Sequence, residues 1–252
     1  MLYHFEALTG LNILGDSRRR DILTGVETFK GTIADAYLLR GGNKTVVIIS
    51  NDHKASILTS QTSKCFDLKQ QVHLYPNDRV TQVSFSSLAP SLHLALQDTK
   101  HHLIGYQIHP ATEEGAYKTF IVWTASLGPS EHIQAMIRRP HEPVASLGKV
   151  LGDRSTLYKY LNPNLVAVLT TTKTALPQCY VYLVDGAKGT VLYRATFPPA
   201  GGSCNAHATL TENWLVYHYY DEVSQVADGA KGYRVVSVEM YEGTGMDNKT
   251  RR

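Results

Sequence analysis

Cysteine, long apolar runs and a surplus of either charge are all scarce in this chain, and each scarcity closes off a class of answers. There are three cysteines among 252 residues, Cys65, Cys179 and Cys204. An odd number at wide spacing supports neither a zinc ribbon nor a dense disulfide framework. A Cys179–Cys204 bridge stays open for an oxidising compartment. Three reduced, partly buried thiols are the expectation, since spacing alone carries no geometry. No run of ~20 apolar residues occurs, so no helical membrane span is read. The first ten residues, MLYHFEALTG, lack a basic stretch followed by an apolar core and do not read as a signal peptide. Charge is nearly balanced, with 25 Lys and Arg against 22 Asp and Glu. That is far from the basic stripe of a nucleic-acid binder, so no nucleic-acid partner is expected. The pairs and triplets Arg18-Arg19-Arg20, Arg138-Arg139 and Arg251-Arg252 read as solvated turns.

Motifs that carry chemistry are also missing. There is no G-x-S-x-G elbow. Gly201-Gly202-Ser203-Cys204-Asn205-Ala206-His207 places a Cys three residues before a His, but catalytic partners meet through the fold, and the segment reads as a loop. Eleven histidines are scattered. They form no H-E-x-x-H, and His101-His102 would face opposite sides of a strand, so surface and core histidines are expected in place of a metal site. Gly41-Gly42 and Gly201-Gly202 lack a phosphate-loop pattern. Glu113-Glu114 and Asp221-Glu222 sit beside turn signals and read as solvated. No cofactor, metal or catalytic residue is expected.

The chain does contain a rhythm of short strands. Asp35–Arg40, Thr45–Ser50, Val72–Tyr75, Val80–Phe85, Leu92–Leu96, Leu103–Ile108, Thr119–Thr124, Leu165–Thr170, Tyr180–Val184, Thr190–Ala195, Trp214–Tyr220 and Tyr233–Met240 are each rich in Val, Ile, Leu, Tyr or Thr. Gly, Pro, Asn and Asp bound them. His132–Arg139 is the best helical candidate. Many short strands at regular spacing point to an all-β fold of sandwich, barrel or propeller type. DGAKG occurs at Asp185–Gly189 and again at Asp228–Gly232. A looser strand-to-strand period of roughly 40–55 residues is in the range of a propeller blade. Val181–Ala195 reads as a hairpin with an Asp-Gly turn, the form found inside quinoprotein-like blades, though one hairpin cannot supply a quinone site. Trp214, Tyr217, Tyr219 and Tyr220 make an aromatic strand expected to pack within a sheet, with a partner-facing patch as the alternative.

The most distinctive stretch is Gly148–Asn164, GKVLGDRSTLYKYLNPN. Gly152-Asp153 marks a turn that Asp153 or Ser155 can cap. Leu157–Leu161 has a half-buried strand period with Tyr158 and Tyr160 on one face. Asn162-Pro163-Asn164 is a second turn. This segment reads as an ordered corner leading into a core strand.

The blocks GDRSTLYKYLNPNLVAV (Gly152–Val168), VYLVDGAKGTVLYRA (Val181–Ala195), ENWLVYHYYD (Glu212–Asp221) and VVSVEMYEG (Val235–Gly243) together resemble the family of subunit 1 of the endoplasmic reticulum membrane protein complex. The resemblance is dense from Gly148 to Gly243 and thins upstream to echoes such as His101–Ile108. It makes Gly152, Asp153, Arg154, Ser155, Tyr158, Tyr160, Asn162, Pro163 and Asn164 structural signature positions. It implies a partial β-propeller of quinoprotein or WD-like blades. Upstream blades would lie at 1–140, C-terminal blades at 141–243 and a disordered tail at 244–252.

The resemblance also implies function: a lumenal, non-catalytic scaffold in a complex that inserts transmembrane segments and assists multipass proteins. Its partners would be the other subunits and client membrane proteins. Leader and membrane anchor would lie outside this chain, and a propeller so cut is expected to aggregate alone. The sequons at Asn43 and Asn248 become glycosylation candidates if the chain is lumenal. Two other readings are kept: the propeller domain of a larger enzyme, either a serine peptidase gate or a quinoprotein, and a generic peptide-binding propeller of the cytosol.

Overall fold

The computed structural model describes residues 33–39, 45–58, 63–68, 86, 88–110, 117–140, 144–175, 177–222 and 231–243. Among these, sixteen strands and one 3-10 turn, Ala89–Ser91, are formed. Among the described residues the strands of each sheet pair antiparallel. The fold is all-β, as expected. The chain divides into two compact units, Met1–Gln97 with Ile104–Thr124, and Asp98–Leu103 with Ala125–Arg252.

In the first unit, β1 (Ile33–Leu39), β2 (Thr45–Ser50), β3 (Lys54–Leu58) and β4 (Ser63–Asp67) form a four-stranded meander in sequence order. β2 is Thr-Val-Val-Ile-Ile-Ser, and Val47 and Ile49 enter a core with Ala55, Leu94, Leu96, Tyr106 and Ile108. The last four belong to β5 (His93–Thr99) and β6 (His102–Pro110), which pair with β7 (Tyr117–Ser126) in the order β5-β6-β7. The β2–β3 turn is pinned by a buried histidine. His53 takes the left-handed backbone conformation, φ 61°. Its ring lies 2.9 Å (Nε2) from the Gln97 carbonyl and 3.1 Å (Nδ1) from the Tyr106 hydroxyl. The carbonyl can only accept, so Nε2 carries the proton and Nδ1 accepts from Tyr106. His53 is thus a satisfied core histidine.

In the second unit, β8 (Glu131–Arg138), β11 (Leu165–Thr172), β12 (Cys179–Asp185) and β13 (Thr190–Phe197) form a sheet in the order β13-β12-β11-β8. Between β8 and β11 the chain makes a two-stranded hairpin, β9 (Gly148–Val150) with β10 (Thr156–Tyr158). A third sheet holds β14 (Ala206–Thr211), β15 (Trp214–Asp221) and β16 (Gly232–Glu239). Leu165, Ala167 and Leu169 of β11, Val181 and Leu183 of β12, and Leu210, Leu215 and Tyr217 form one core shared by the β13-β12-β11-β8 sheet and this third sheet. Burying one such aliphatic side chain stabilises the fold by about 1.5–3 kcal/mol. The other face of β11 and β12 is buried too, around a carboxylate. Glu131 accepts from the Thr170 hydroxyl at 3.0 Å and the Tyr182 hydroxyl at 2.8 Å. Arg194 lies over the Tyr180 ring at 4.6 Å and 4.0 Å from Glu131. Burial first, and Glu131 second, hold the Tyr182 hydroxyl protonated well above the usual phenol range.

Several expectations are corrected. His132–Arg139 is no helix; all of it but Arg139 lies in β8 and runs along β11. A bulge explains the misreading. Leu169 pairs with Ala135 and the next residue, Thr170, with Ile133, so Gln134 is the extra residue. The bulge puts Ile133 and Met136 on one face, a three-residue spacing that imitates a helix. Arg139 is buried at the end of β8, and Asp221 is buried with Arg234 Nε 3.6 Å away, so neither is a solvated turn residue. Cys179 and Cys204 are joined, against the expectation of three reduced thiols. The sheets bring their Cα atoms to 5.5 Å, within bridging range. Cys65 lies on β4, opposite Ser56. The strands expected at Val72–Tyr75 and Val80–Phe85, both sequons, Arg18–Arg20, Glu113-Glu114 and Arg251-Arg252 fall outside the described residues.

Candidate functional site

The signature stretch is built as a hairpin, a strap and a turn in succession. In the hairpin, Val150 pairs with Thr156 and Gly148 with Tyr158. Its tip closes when Leu151 N–H donates to Ser155 O at 2.9 Å and Arg154 N–H to Leu151 O at 3.0 Å. Arg154 sits at φ 69°. The Asp153 carboxylate accepts from both the amide and the hydroxyl of Ser155, at 3.0 and 2.6 Å. These bonds, the hydroxyl first, hold its carboxyl below the ordinary value of 3.8. A Cβ on Gly152 would meet nothing within 4 Å, so its place in the turn is not sterically forced.

After Tyr158 the chain leaves the hairpin and becomes a strap against the end of the third sheet. Lys159 bridges to Tyr241, Tyr160 N–H donates to Met240 O at 3.0 Å, and Glu242 N–H donates to Tyr158 O at 2.8 Å. The half-buried strand expected across Leu157–Leu161 therefore ends at Tyr158. Tyr158 stays exposed, whereas Tyr160 packs against the second core. A change of sheet partner at Lys159 separates two tyrosines that simple alternation puts on one face.

An ion pair that sequence reasoning missed fixes the strap. Lys159 Nζ donates to Glu212 Oε2 at 2.6 Å. Glu212 and Asn213 form the two-residue turn between β14 and β15, with Glu212 at φ 45°. Two-residue hairpin turns need this left-handed geometry and favour Asn. Glu-Asn between two alternating runs was the available signal. The Lys159 ammonium, then its charge, the Ala145 amide and the Arg139 charge, draw the Glu212 carboxyl below its ordinary 4.5. Asn213 is wholly buried, and its Nδ2 donates to Met240 O at 2.8 Å.

The final turn delivers the chain to β11. Asn162 Oδ1 accepts from Asn164 N–H at 2.9 Å, and Asn162 Nδ2 donates to the Tyr160 hydroxyl at 3.2 Å. Pro163 sits inside this Asx turn. Asn164 O accepts from Gly186 N–H at 2.8 Å, tying the corner to the β12–β13 turn, where Asp185 caps Ala187. The signature residues thus form one continuous structure, with Gly152–Ser155 at the exposed tip, Tyr158 at the end of the hairpin, Tyr160 on the strap, and Asn162–Asn164 at the entry to the core.

Chemically, this corner positions other elements. Cys204 is occupied by its bridge to Cys179 and offers no thiolate to His207, whose ring stacks on His218 at 5.2 Å. Among the described residues no group of three or more His, Cys, Asp or Glu is placed to hold a metal ion. Phe197 of β13 stacks on Tyr219 with ring centroids 5.1 Å apart and lies tilted against Tyr217 at 6.2 Å, so these two tyrosines of the aromatic strand pack in the core against the neighbouring sheet.

A family model described as ER membrane protein complex subunit 1, second beta-propeller, matches residues 2–252. ER membrane protein complex subunit 1 of Schizosaccharomyces pombe is 36% identical over 130 residues, covering 51% of this chain and 14% of that protein. The Xenopus laevis protein of the same name is 29% identical over 211 residues, covering 81% of this chain and 19% of its own length. That of Gallus gallus is 32% identical over 194 residues, 73% of this chain and 18% of its own length. The chain spans less than a fifth of each relative.

Proposed function

Because the chain belongs to the family of ER membrane protein complex subunit 1, second β-propeller, we propose that it is a non-catalytic scaffold on the lumenal side of the endoplasmic reticulum membrane. In this reading it holds sister subunits in place while the complex inserts transmembrane segments and assists multipass proteins. The observation that carries the lumenal placement is the Cys179–Cys204 bridge, which joins the start of β12 to the segment before β14. Such bridges persist in oxidising compartments and are rare in the cytosol. The scaffold role is supported by the corner. Backbone pairing and the Lys159–Glu212 pair lash one segment to two sheets, which holds the exposed hairpin at a fixed position. We retain the division into upstream blades at 1–140, C-terminal blades at 141–243 and a tail at 244–252 as part of this reading. Asn43 and Asn248 remain the proposed glycan acceptors, and the nine signature positions the proposed structural determinants.

The test is to tag the full-length protein in cells and purify it in mild detergent. Sister subunits of the complex should co-purify, peptides containing Cys179 and Cys204 should be joined after alkylation without reductant, and Asn43 should carry an endoglycosidase-sensitive glycan. Alkylated Cys179 and Cys204 in freshly lysed cells would remove the lumenal placement, and recovery of no sister subunit would remove the scaffold role.

A further inference from the structure

Hairpin β9–β10 differs from the other pairings of the second unit in having no buried residue: Gly148 and Leu157 are half-buried and its other paired residues are exposed. Val150 and Tyr158 occupy one face, following the pairing of Val150 with Thr156 and Gly148 with Tyr158, and Leu151 projects at the tip. Val150 is 71% exposed, Leu147 67%, Tyr158 59% and Leu151 39%. Two cations, Lys149 and Arg154, are interleaved with these side chains and are also exposed. Among the described residues no ion pair engages either. The one acid of the hairpin, Asp153, is engaged by Ser155.

From this arrangement we propose that the hairpin tip docks into the headgroup layer of a bilayer containing anionic phospholipid. Its two-sidedness separates this occupant from a protein. A protein surface laid on the hairpin buries one face and leaves aliphatic side chains of the other in water. Immersion of the tip covers both faces at once. Leucine, valine and tyrosine beside lysine and arginine is also the composition that interfacial segments use. The aliphatic groups enter the acyl boundary, the tyrosine ring sits at headgroup level, and the cations meet lipid phosphates. The base of the hairpin is fixed by Lys159 N–H donating to Leu147 O at 3.0 Å and by the Lys159–Glu212 pair, so the tip is presented at a defined position. This inference goes beyond the scaffold reading and does not require any sister subunit.

The test is flotation of the purified full chain with phosphatidylcholine vesicles, with and without phosphatidylinositol. Flotation separates lipid-bound protein, which rises, from aggregate, which sinks. The wild-type chain should rise with phosphatidylinositol vesicles and weakly with phosphatidylcholine alone. Lys149→Gln with Arg154→Gln should weaken binding to the anionic vesicles roughly thirtyfold, from about one kcal/mol per cation at a charged surface, with little change on neutral ones. Val150→Glu with Leu151→Glu should abolish flotation on both, with an unchanged melting temperature confirming the fold. The proposal is overturned if the wild-type chain does not rise, or if either double variant rises as well as wild type. It is also overturned if the Val150→Glu, Leu151→Glu protein keeps vesicle binding but loses co-purifying sister subunits, since the hairpin would then be a protein contact.

Discussion

Strands β11 and β12 and hairpin β9–β10 are near neighbours in sequence and opposites in environment. β12 is buried at every position and β11 at all but one, whereas the hairpin is exposed almost throughout. Neither shows the alternation of a half-buried strand, for opposite reasons. β11 and β12 lie at the centre of their sheet and are covered on both faces, so both parities are apolar. The hairpin buries no residue, and Lys149 and Val150, on opposite faces of β9, are both exposed. The difference teaches that stability and distinctiveness are separated here. The stability sits in ordinary apolar runs such as LVAVLT, while the recognisable residues are spent on the corner that leads into them.

The largest way to break this contrast is a cavity in the central strands. Leu183→Ala should lower the unfolding free energy by about 3–4 kcal/mol, read from urea melts of the full chain. A loss below about 1 kcal/mol would mean that the core shared by the β13-β12-β11-β8 sheet and the third sheet is not closed around Leu183. Next in size is the bridge. Cys179→Ser with Cys204→Ser removes a crosslink between residues 25 apart, which should cost about 3.5 kcal/mol by loop entropy. The measurement is the same melt with and without reductant. Wild type should lose that amount on reduction, and the double variant should be indifferent.

Much of the fold was legible. β2 falls at Thr45–Ser50, the bounds its apolar run gives, and β11, β12, β13, β15 and β16 fall within a residue or two of theirs. The failures have local physical causes. β8 was obscured by the bulge at Gln134, β14 by a composition of Ala, His and Thr that carries little apolar signal, and the hairpin by its lack of any buried face. Within the candidate site the two turns were readable, because Asp153 and Asn162 cap their own backbones. The Lys159–Glu212 contact was not, since its partners lie 53 residues apart and only the fold brings them together. The bridge between Cys179 and Cys204 stood only as the alternative to three reduced thiols, because the 5.5 Å Cα separation that permits it is set by the fold.

A smaller effect sharpens the contrast at the strap. The Glu212 carboxyl is held below its ordinary value of 4.5, chiefly by the Lys159 hydrogen bond. A group with a depressed folded-state value contributes stability that is present above its unfolded value and is lost as pH falls through the folded one. Melting temperature should therefore drop on acidification below about pH 4.5 more steeply for wild type than for Lys159→Met, which lacks the partner. The two curves should converge at the acid end. Parallel curves across that range would mean that the pair does not form in solution.

The smallest expected effect is the most discriminating. Val150→Ser removes an apolar side chain from β9, as Leu183→Ala does from β12, but Val150 is 71% exposed. With so little area taken from water on folding, the change should stay within about 0.5 kcal/mol in either direction, by the same urea melt. Strand propensity alone accounts for a few tenths, because serine suits an extended backbone less well than valine. A loss above about 1 kcal/mol would show that Val150 is covered when the protein is folded, either by its own chain or by a second copy. Dilution separates these two, since a contact between copies weakens with concentration and an internal one does not. Either result would collapse the distinction between a buried framework and an exposed hairpin, and would take from that hairpin the surface on which a bilayer could act.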